Sequence, residues 1–228
     1  MALEIGGGKK TIALAGNPNV GKSTVFNALT GMNQHTGNWP GKTVATASGD
    51  YIYRDKMFHL VDIPGTYSLL AHSAEEEVAR DFICFGQPDA TVVVMDATCL
   101  ERNLNLVLQI LEITPRVIVC VNLLDEAKKK KIEVDLQALA DCLQVPVVGA
   151  AARSKEGLDH LMEAISRMTE QETNAAREPF AYPMAIEEAI ALLQPAIEEK
   201  AQGKIDARWL ALKALDDDAS LRHSIDQF

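Results

Sequence analysis

The feature that most limits the fold is an eight-residue string from Gly16 to Ser23 that reads Gly-Asn-Pro-Asn-Val-Gly-Lys-Ser. An apolar run, Thr11–Ala15, precedes it, and helical patterning follows near Ser23–Leu29. The glycines let the backbone curl, so that successive N–H groups and the helix N-terminus point at phosphate oxygens. In a GxxxxGKS pattern the Lys22 ammonium faces the β- and γ-phosphates, and the Ser23 hydroxyl takes one position on Mg²⁺. The string therefore predicts a phosphate loop.

This interpretation assigns nucleotide contacts to every position of the string and to the residue that follows it. The assigned residues are Gly16, Asn17, Pro18, Asn19, Val20, Gly21, Lys22, Ser23 and Thr24. A chance match is a poor explanation, because a strand pattern comes before the string and a helix pattern comes after it.

Short apolar runs alternate with helical patterns from Thr11 to about Met168. The predicted strands are Thr11–Ala15, Tyr51–Tyr53, Met57–Val61, Thr91–Met95, Val117–Val121 and Val145–Val148. The predicted helices lie near Ser23–Leu29, Ala74–Phe82, Asn103–Leu111, Leu136–Leu143 and 158–165. This alternation indicates an α/β fold with a mostly parallel six-stranded sheet and helices on both faces. Ligands of such folds sit at the carboxyl ends of the strands.

The character of the chain changes after Thr169. Residues 170–183 are polar and lack periodicity, so we expect a linker or surface loop. Apolar residues at helical spacing then predict helices around 186–197, 209–212 and 221–228, and Pro195 is expected to bend or end the first of them. The sequence therefore predicts a nucleotide-binding domain over residues 1–170 and a small all-α helical module over residues 171–228.

Composition excludes several classes of protein. The net charge of −10 argues against a nucleic-acid-binding protein, which would carry an excess of positive charge. No stretch approaches the roughly 18 consecutive apolar residues of a membrane helix, and the N-terminal residues lack the apolar core of a signal peptide. The four cysteines form no CxxC pair, so we expect reduced and mostly buried thiols in a cytosolic protein.

A second phosphate-side motif follows the run Met57–Val61. It reads Asp62-Ile63-Pro64-Gly65, which is DxxG. Asp62 is expected to hold Mg²⁺ through a water, and the Gly65 amide to bond the γ-phosphate. Thr43 lies between the two motifs in a stretch with little regular pattern, and its hydroxyl would complete the metal shell only when γ-phosphate is present. The alternative, that Thr43 is an ordinary surface residue, stays open.

The base-reading motif is Asn122-Leu123-Leu124-Asp125, at the end of the fifth apolar run. GTPases carry NKxD at this position, and its aspartate accepts hydrogen bonds from N1–H and the 2-amino group of guanine. Adenine lacks both donors, so a site built this way can discriminate by about 10⁴ or more. Leu123 replaces the usual lysine, so nucleotide affinity is expected to be modest. After the sixth strand, backbone N–H groups of Ala150, Ala151 and Ala152 are expected to face guanine O6.

The ordered set GNPNVGKS, Thr43, DIPG, NLLD and AAAR resembles that of translation-factor-like GTPases. Three further strings resemble segments of one family, the bacterial ferrous iron transport protein B (FeoB). They are GNWPGKTV (37–44), DIPGTYSL (62–69) and DATCLERNLNLVLQILE (96–112). The resemblance implies a Ras-like G domain of the P-loop NTPase class, with Gly41 among its nucleotide-binding residues. It also implies a helical module that favours GDP retention and a membrane portion beyond it.

The resemblance carries further expectations about partners and place. It implies guanine nucleotide and the membrane permease portion of the same protein as partners, together with small cytosolic Feo proteins and a homo-oligomer, and no nucleic acid. It places the full-length protein at the cytoplasmic face of the bacterial inner membrane, with this part soluble, and it implies a regulatory role in Fe(II) uptake.

Asn19 matches the phosphate-loop asparagine with which related GTPases bind K⁺ beside the phosphates, although it could instead only shape the loop. Thr66 follows DxxG, where Ras-like proteins carry a water-positioning glutamine, so we expect slow turnover of about 10⁻⁴ to 10⁻² s⁻¹. The expected catalytic residues are Lys22, Asn19, Thr43 and Gly65. The expected metal ligands are Ser23, Thr43 and Asp62 for Mg²⁺ and Asn19 for K⁺.

Two other functions share parts of this pattern. A ribosome- or RNA-associated assembly GTPase shares GNPNVGKS, but it usually carries a basic module, whereas this tail is acidic. A P-loop kinase or ATPase of metabolism is the second alternative. Equal affinity for ATP and GTP would support it and would contradict the interpretation of Asp125. Trp39 has two open interpretations, since it could cover the nucleotide or dock elsewhere.

Overall fold

The computed structural model describes residues 9–31, 34–39, 44–70, 72–170, 179–203 and 205–216, together with 221 and 225. These residues contain seven strands and eight α-helices. The strands are β1 (Lys10–Gly16), β2 (Gln34–Asn38), β3 (Ala45–Tyr53), β4 (Lys56–Asp62), β5 (Ala90–Asp96), β6 (Val117–Asn122) and β7 (Val147–Gly149). The helices are α1 (Lys22–Thr30), α2 (Ala74–Phe85), α3 (Leu100–Ile113), α4 (Leu124–Lys129), α5 (Leu136–Leu143), α6 (Leu158–Glu170), α7 (Met184–Ala201) and α8 (Ala207–Leu215).

The strands form one sheet in the order β2-β3-β4-β1-β5-β6-β7. Strands β4, β1, β5, β6 and β7 run parallel, while β3 pairs antiparallel with both β2 and β4. The parallel register brings the carboxyl ends of β1, β4 and β6 to one edge of the sheet. Gly16, Asp62 and Asn122 end these strands, so the three motifs of the sequence meet at this edge.

The sheet is covered on both faces, as the α/β prediction requires. One core layer packs α2 and α3 against the sheet and includes Val93, Phe82 and Ile110. The other packs α1 and α6 and includes Ile12, Phe26 and Leu161. Trp209 and Leu221 of the C-terminal segment belong to the first layer, so this segment shares a core with the sheet.

The fold class is confirmed, with one additional strand. Strand β2 lies in the stretch that showed little regular pattern, and its described side chains are exposed, so no apolar alternation marks it. Helix α4 was not predicted either, because only Ala127 of its six residues is buried.

Pro195 does not end α7, which continues to Ala201. A proline inside a helix removes one backbone donor, and the packing of α7 against α8 offsets that loss. The helix predicted around 221–228 lies almost wholly outside the described residues.

The cysteines are all free thiols, but only Cys84 and Cys120 are buried, which corrects the expectation that most of the four are. Among the described residues, no helix combines the length and apolar character that crossing a membrane requires.

Candidate functional site

The phosphate-loop string connects β1 to α1. At two of its glycines, neighbouring atoms leave no room for a side chain. A Cβ on Gly16 would lie 2.7 Å from the carbonyl oxygen of Val94. Gly21 has φ +81°, and a Cβ there would lie 2.4 Å from Nδ2 of Asn122. The loop can therefore curl against β5 and β6 only because these positions lack side chains.

The rest of the loop leaves polar groups at the surface. Asn19 is exposed and has φ +67°, and Ser23 and Thr24 are exposed at the start of α1. Pro18 is half-buried, while Val20 and Asn17 are buried. Free N–H groups at the start of a helix and hydroxyls at the surface suit an anionic ligand.

Lys22 links the phosphate loop to the end of β4. Its ammonium donates to a carboxylate oxygen of Asp62, and to the carbonyl oxygen of Ile63 over 2.7 Å. Burial raises the pKa of the Asp62 carboxyl above its ordinary value, although the charge and hydrogen bond of Lys22 act in the opposite direction. Lys22 and Asp62 form a charged pair at the carboxyl end of β4, and the exposed hydroxyl of Ser23 is next to Lys22 in the chain. Together they supply the cation and the oxygen ligands that a metal–phosphate group needs.

The DxxG segment lies directly against the phosphate loop. A Cβ on Gly65 would be 3.5 Å from Cα of Pro18. The amide of Thr66 donates to the carbonyl oxygen of Gly16 over 3.3 Å. The Thr66 side chain is only 5% exposed, and its hydroxyl donates to the carbonyl oxygen of Ser68 over 2.7 Å. Thr66 is therefore turned into the protein.

Asn122 ties the base-reading motif to the phosphate loop. Its Nδ2 donates to the carbonyl oxygen of Val20 over 3.1 Å, and its Oδ1 accepts from the amide of Ala152 over 3.0 Å. Leu123 then adopts a left-handed φ of +63°, and α4 begins at the next residue. This turn places Asp125, half-buried, in the first turn of α4.

The alanine segment differs from the expectation. Ala150, Ala151 and Ala152 are buried beside Asn122, but each amide already donates within the protein. The acceptors are the carbonyl oxygens of Val121 at 2.8 Å and Glu156 at 3.0 Å, and Oδ1 of Asn122 at 3.0 Å. Backbone amides at the end of a strand are normally paired, so a bond to guanine O6 would require an exchange of partners.

Several predicted residues cannot be placed. Gly41 and Thr43 lie outside the described residues. Within the part of the chain that is described, no group of three or more His, Cys, Asp or Glu side chains could hold a metal ion. Trp39 packs edge-on against Phe82 of α2, with ring centroids 5.2 Å apart, so in this arrangement it docks on α2.

The sequence analysis missed the contacts that α3 makes with the phosphate loop and with the segment that follows DxxG. Nδ2 of Asn17 donates to the carbonyl oxygen of Arg102 over 3.3 Å. The Arg102 guanidinium lies 4.4 Å from the ring centroid of Tyr67. The signal in the sequence is the string Leu100–Leu104, which marks the family resemblance but does not indicate what its side chains contact.

Comparison with known proteins identifies the family. The family model described as ferrous iron transport protein B matches residues 10–165, and the model of the FeoB cytosolic helical domain matches residues 182–227. The Fe(2+) transporter FeoB of Salmonella choleraesuis is 40% identical over 214 residues, which cover 92% of this chain and 27% of that protein. The chain thus spans about a quarter of the length of the curated relatives it matches.

Solved structures agree with this match. The cytosolic domain of the T. maritima FeoB iron transporter in GDP form I has a TM-score of 0.86 and 36% identity, over 95% of this chain and 84% of that one. The same domain in its GMPPNP form has a TM-score of 0.82 and 35% identity, over 95% and 85% of the two chains. The resemblance noted in the sequence is confirmed, and this chain belongs to the ferrous iron transport protein B family.

Proposed function

We propose that this chain binds guanine nucleotides and slowly hydrolyses GTP to GDP and phosphate, as a regulatory part of a bacterial Fe(II) transporter. The observation that carries the proposal is the side chain of Asn122, which bonds the phosphate loop at Val20 and the base-side segment at Ala152. These bonds join the segment that carries Asp125 to the loop that carries Lys22, as one ligand with a base at one end and phosphates at the other requires. Relatives solved in GDP and GMPPNP forms support the choice of nucleotide.

Guanine selectivity is assigned to Asp125. Its carboxylate accepts from N1–H and the 2-amino group, while adenine would leave it without those donors. Asn122 and Leu123 shape the turn that presents it, and the buried residues Ala150–Ala152 form a small-residue wall beside Asn122. Because the three alanine amides already have acceptors, we assign to these residues only a role in shaping the base pocket. We assign the discrimination between guanine and adenine to Asp125.

The phosphates are assigned to the loop from Gly16 to Thr24 and to Gly65. Lys22 would exchange its bonds to Asp62 and Ile63 for bonds to phosphate oxygens. That exchange leaves the Ile63 carbonyl without its donor and frees the Asp62 carboxylate, so the DxxG segment adjusts when nucleotide binds. We assign Gly41 and Thr43 to the same site.

The residues present suit Mg²⁺, because Ser23 and Thr43 offer hydroxyl oxygens and Asp62 offers a carboxylate, which would bind through a water. Mg²⁺ there would neutralise charge that develops on the phosphates. Asn19 is assigned to K⁺, because its side chain is exposed at the phosphate loop and a carboxamide oxygen is a hard ligand. Lys22, Asn19, Thr43 and Gly65 form the catalytic set.

Slow turnover is assigned to Thr66. Its side chain is buried and its hydroxyl is bonded to Ser68, so it does not orient an attacking water as a glutamine would. Because Gly65 and Thr43 would contact the γ-phosphate and its metal ion, the conformations of their segments would depend on γ-phosphate. This dependence would make the domain a switch.

The remaining proposals concern the whole protein. We propose a boundary between a G domain over 1–170 and a helical module over 171–228, which favours GDP retention and links to the membrane portion. The full-length protein would lie at the cytoplasmic face of the inner membrane and gate or drive iron passage. We further propose small cytosolic Feo proteins and a second copy of the chain as partners, and no nucleic acid.

The test is calorimetric titration of the nucleotide-free chain with GDP and with ADP in Mg²⁺ buffer. We expect GDP to bind and ADP to bind at least about 10³-fold more weakly, since the Asp125 carboxylate rejects a base without the two donors. Single-turnover hydrolysis of GTP then checks the catalytic part. Equal affinity for GDP and ADP would contradict the proposal.

A further inference from the structure

Five exposed cations without ion-pair partners lie in two short segments that follow the base-reading motif and the alanine segment. They are Lys128, Lys130, Lys131, Arg153 and Lys155. None of their side chains forms an ion pair or a hydrogen bond with another described residue. Lys129, in the same run, pairs with Glu126 over 2.8 Å. Glu133 and Glu156 are near in the chain, but neither forms an ion pair with the five cations.

Elsewhere in the described part of the chain, exposed lysines and arginines are mostly paired with carboxylates. Lys10 contacts Asp89 over 2.9 Å, and Arg167 contacts Glu163 over 2.8 Å. Acidic residues outnumber basic ones, 32 to 22, so a carboxylate is available near most cations. Lys200 of α7 is an isolated exception. Uncompensated positive charge on the described surface is therefore concentrated in the two segments.

The end of β6 brings the two segments together. The amide of Ala152, next to Arg153, donates to Oδ1 of Asn122 over 3.0 Å, and α4 begins two residues after Asn122. A hydrogen bond to Glu126 raises the pKa of the Lys129 ammonium above its ordinary value, while the charge of Arg153 acts in the opposite direction. The two segments thus form one basic surface. We call it the α4 patch, and it consists of Lys128–Lys131, Arg153 and Lys155.

An exposed apolar side chain adjoins the α4 patch. Ile132 is 38% exposed and directly follows Lys131. Its amide donates to the carbonyl oxygen of Ala127 over 2.9 Å, so the turn after α4 holds it in place. An apolar side chain beside lysines suits a bilayer, where cations contact the headgroups and the apolar group enters the boundary with the acyl chains. A nucleic-acid phosphate backbone offers no comparable apolar region.

The charge of the whole chain limits how it could approach such a surface. The net charge is −10, so an anionic bilayer repels most faces of the molecule. The interaction falls off within a Debye length, about 10 Å at 0.1 M salt, so the charges nearest the bilayer decide its sign. Contact is therefore favourable only when the α4 patch faces the headgroups.

We propose that the α4 patch binds the anionic phospholipid headgroups of a bilayer and orients the chain with α4 toward the membrane. Charge complementarity and the exposed Ile132 select this partner. The chain spans about a quarter of relatives that are Fe(2+) transporters. The inference rests on the membrane portion of the proposed function, which would hold the patch near a bilayer, and it does not depend on nucleotide binding.

Co-sedimentation of the full chain with vesicles tests the proposal. We expect binding to vesicles of equal parts phosphatidylglycerol and phosphatidylcholine at about 50 mM salt, release at about 0.5 M salt, and no binding to pure phosphatidylcholine. Each basic side chain near an anionic surface adds about fivefold to the binding constant. Lys128→Glu combined with Lys130→Glu should therefore weaken binding by about 25-fold or more. Ile132→Ser should weaken it to a smaller extent.

The matched control is Arg167→Glu combined with Lys200→Glu. It changes the net charge by the same amount at two exposed positions outside the α4 patch, and the exposed ion pair that it breaks contributes little to stability. This variant should bind vesicles as tightly as the unchanged chain does. Circular dichroism and GDP titration of every variant check that the fold is kept.

Three outcomes would overturn the proposal. They are equal sedimentation of the unchanged chain with both kinds of vesicle, the same loss of binding in the control as in the patch variant, and binding of a single-stranded RNA oligonucleotide in place of vesicles at the same salt. A chain that binds GDP but no vesicles would contradict only the role of the α4 patch. A chain that binds vesicles but no GDP would contradict the proposed nucleotide binding and leave the α4 patch supported.

Discussion

The side-chain amide of Asn122 donates to the carbonyl oxygen of Val20 over 3.1 Å and so joins the two ends of the candidate nucleotide site. The same nitrogen lies 2.4 Å from the position that a Cβ on Gly21 would occupy. The bond therefore forms only when residue 21 has no side chain. The base-side and phosphate-side geometries depend on each other through this contact.

This dependence predicts the effect of Gly21→Ala. The new methyl group would displace Asn122, and alanine would be strained at φ +81°. We expect destabilisation of about 1–3 kcal/mol and loss of GDP affinity of tenfold or more, because Val20 and Ala152 lose their side-chain partner. Chemical denaturation and nucleotide titration measure the two effects.

Gly31→Ala is the matched control for Gly21→Ala. Gly31 also has a left-handed φ, +62°, at the other end of α1, but a Cβ there would meet nothing within 4 Å. We expect it to lose stability through backbone strain alone and to keep GDP affinity. If both variants bind GDP equally well, the clash with Asn122 has no role in the site.

The assignment of K⁺ to Asn19 predicts that the rate of GTP hydrolysis depends on the monovalent cation. A cation bound beside the phosphates would stabilise charge on the transferring group, which is part of what an arginine finger does. We expect single-turnover hydrolysis to be about tenfold or more faster in K⁺ than in Na⁺. Asn19→Ala should abolish that difference, and equal rates of the unchanged protein in both salts would rule out the assignment.

The contacts of the Asp50 carboxylate with Lys9 and His59 predict that the protein loses stability in acid. Burial pulls the pKa of its carboxyl upward, but hydrogen bonds and charges of Lys9 and His59 outweigh that effect and hold the pKa below its usual value. The Lys9 contact is 2.5 Å and the His59 contact 2.7 Å. An acid with a depressed folded-state pKa contributes stability above its unfolded value of about 3.9, and this is lost as pH falls through the folded value.

The corresponding experiment compares thermal unfolding of the unchanged chain and Asp50→Asn between pH 7 and pH 2. The variant should be less stable at neutral pH, and the gap should close below about pH 4, where the carboxylate of the unchanged chain becomes protonated. Asp55→Asn serves as a control on the turn between β3 and β4. A gap that persists unchanged at pH 2 would show that the ion pairs do not cause it.

Local strings predicted the parts of the site that local sequence determines. The phosphate loop, DxxG and the Asn122 motif each end or begin a regular element, and the parallel sheet brings those ends together. Contacts between distant segments were not predictable in this way. The pairing of Arg102 with Tyr67, and the acceptors of the Ala150–Ala152 amides, depend on tertiary packing.

Strand β2 shows a second limit of sequence patterns. Its residues, Gln34–Asn38, have no apolar alternation, and it forms through backbone bonds to β3 at the edge of the sheet. An edge strand that is exposed on both faces leaves no periodic signal. Helix α7 shows the opposite case, in which a local signal for the end of a helix is overridden. The helix continues beyond Pro195 because it packs against α8.

The most direct measurement of the central claim is the nucleotide preference of Asp125→Asn. An asparagine there can accept from N1–H and donate to a 2-oxo group, which xanthine has and guanine lacks, so the preference should move from GDP to xanthosine diphosphate. We expect GDP affinity to fall by about 10²-fold or more and xanthosine diphosphate to become the tighter ligand, with Glu126→Gln unchanged in both. If Asp125→Asn binds GDP as tightly as the unchanged chain does, Asp125 does not read the base and the account is wrong.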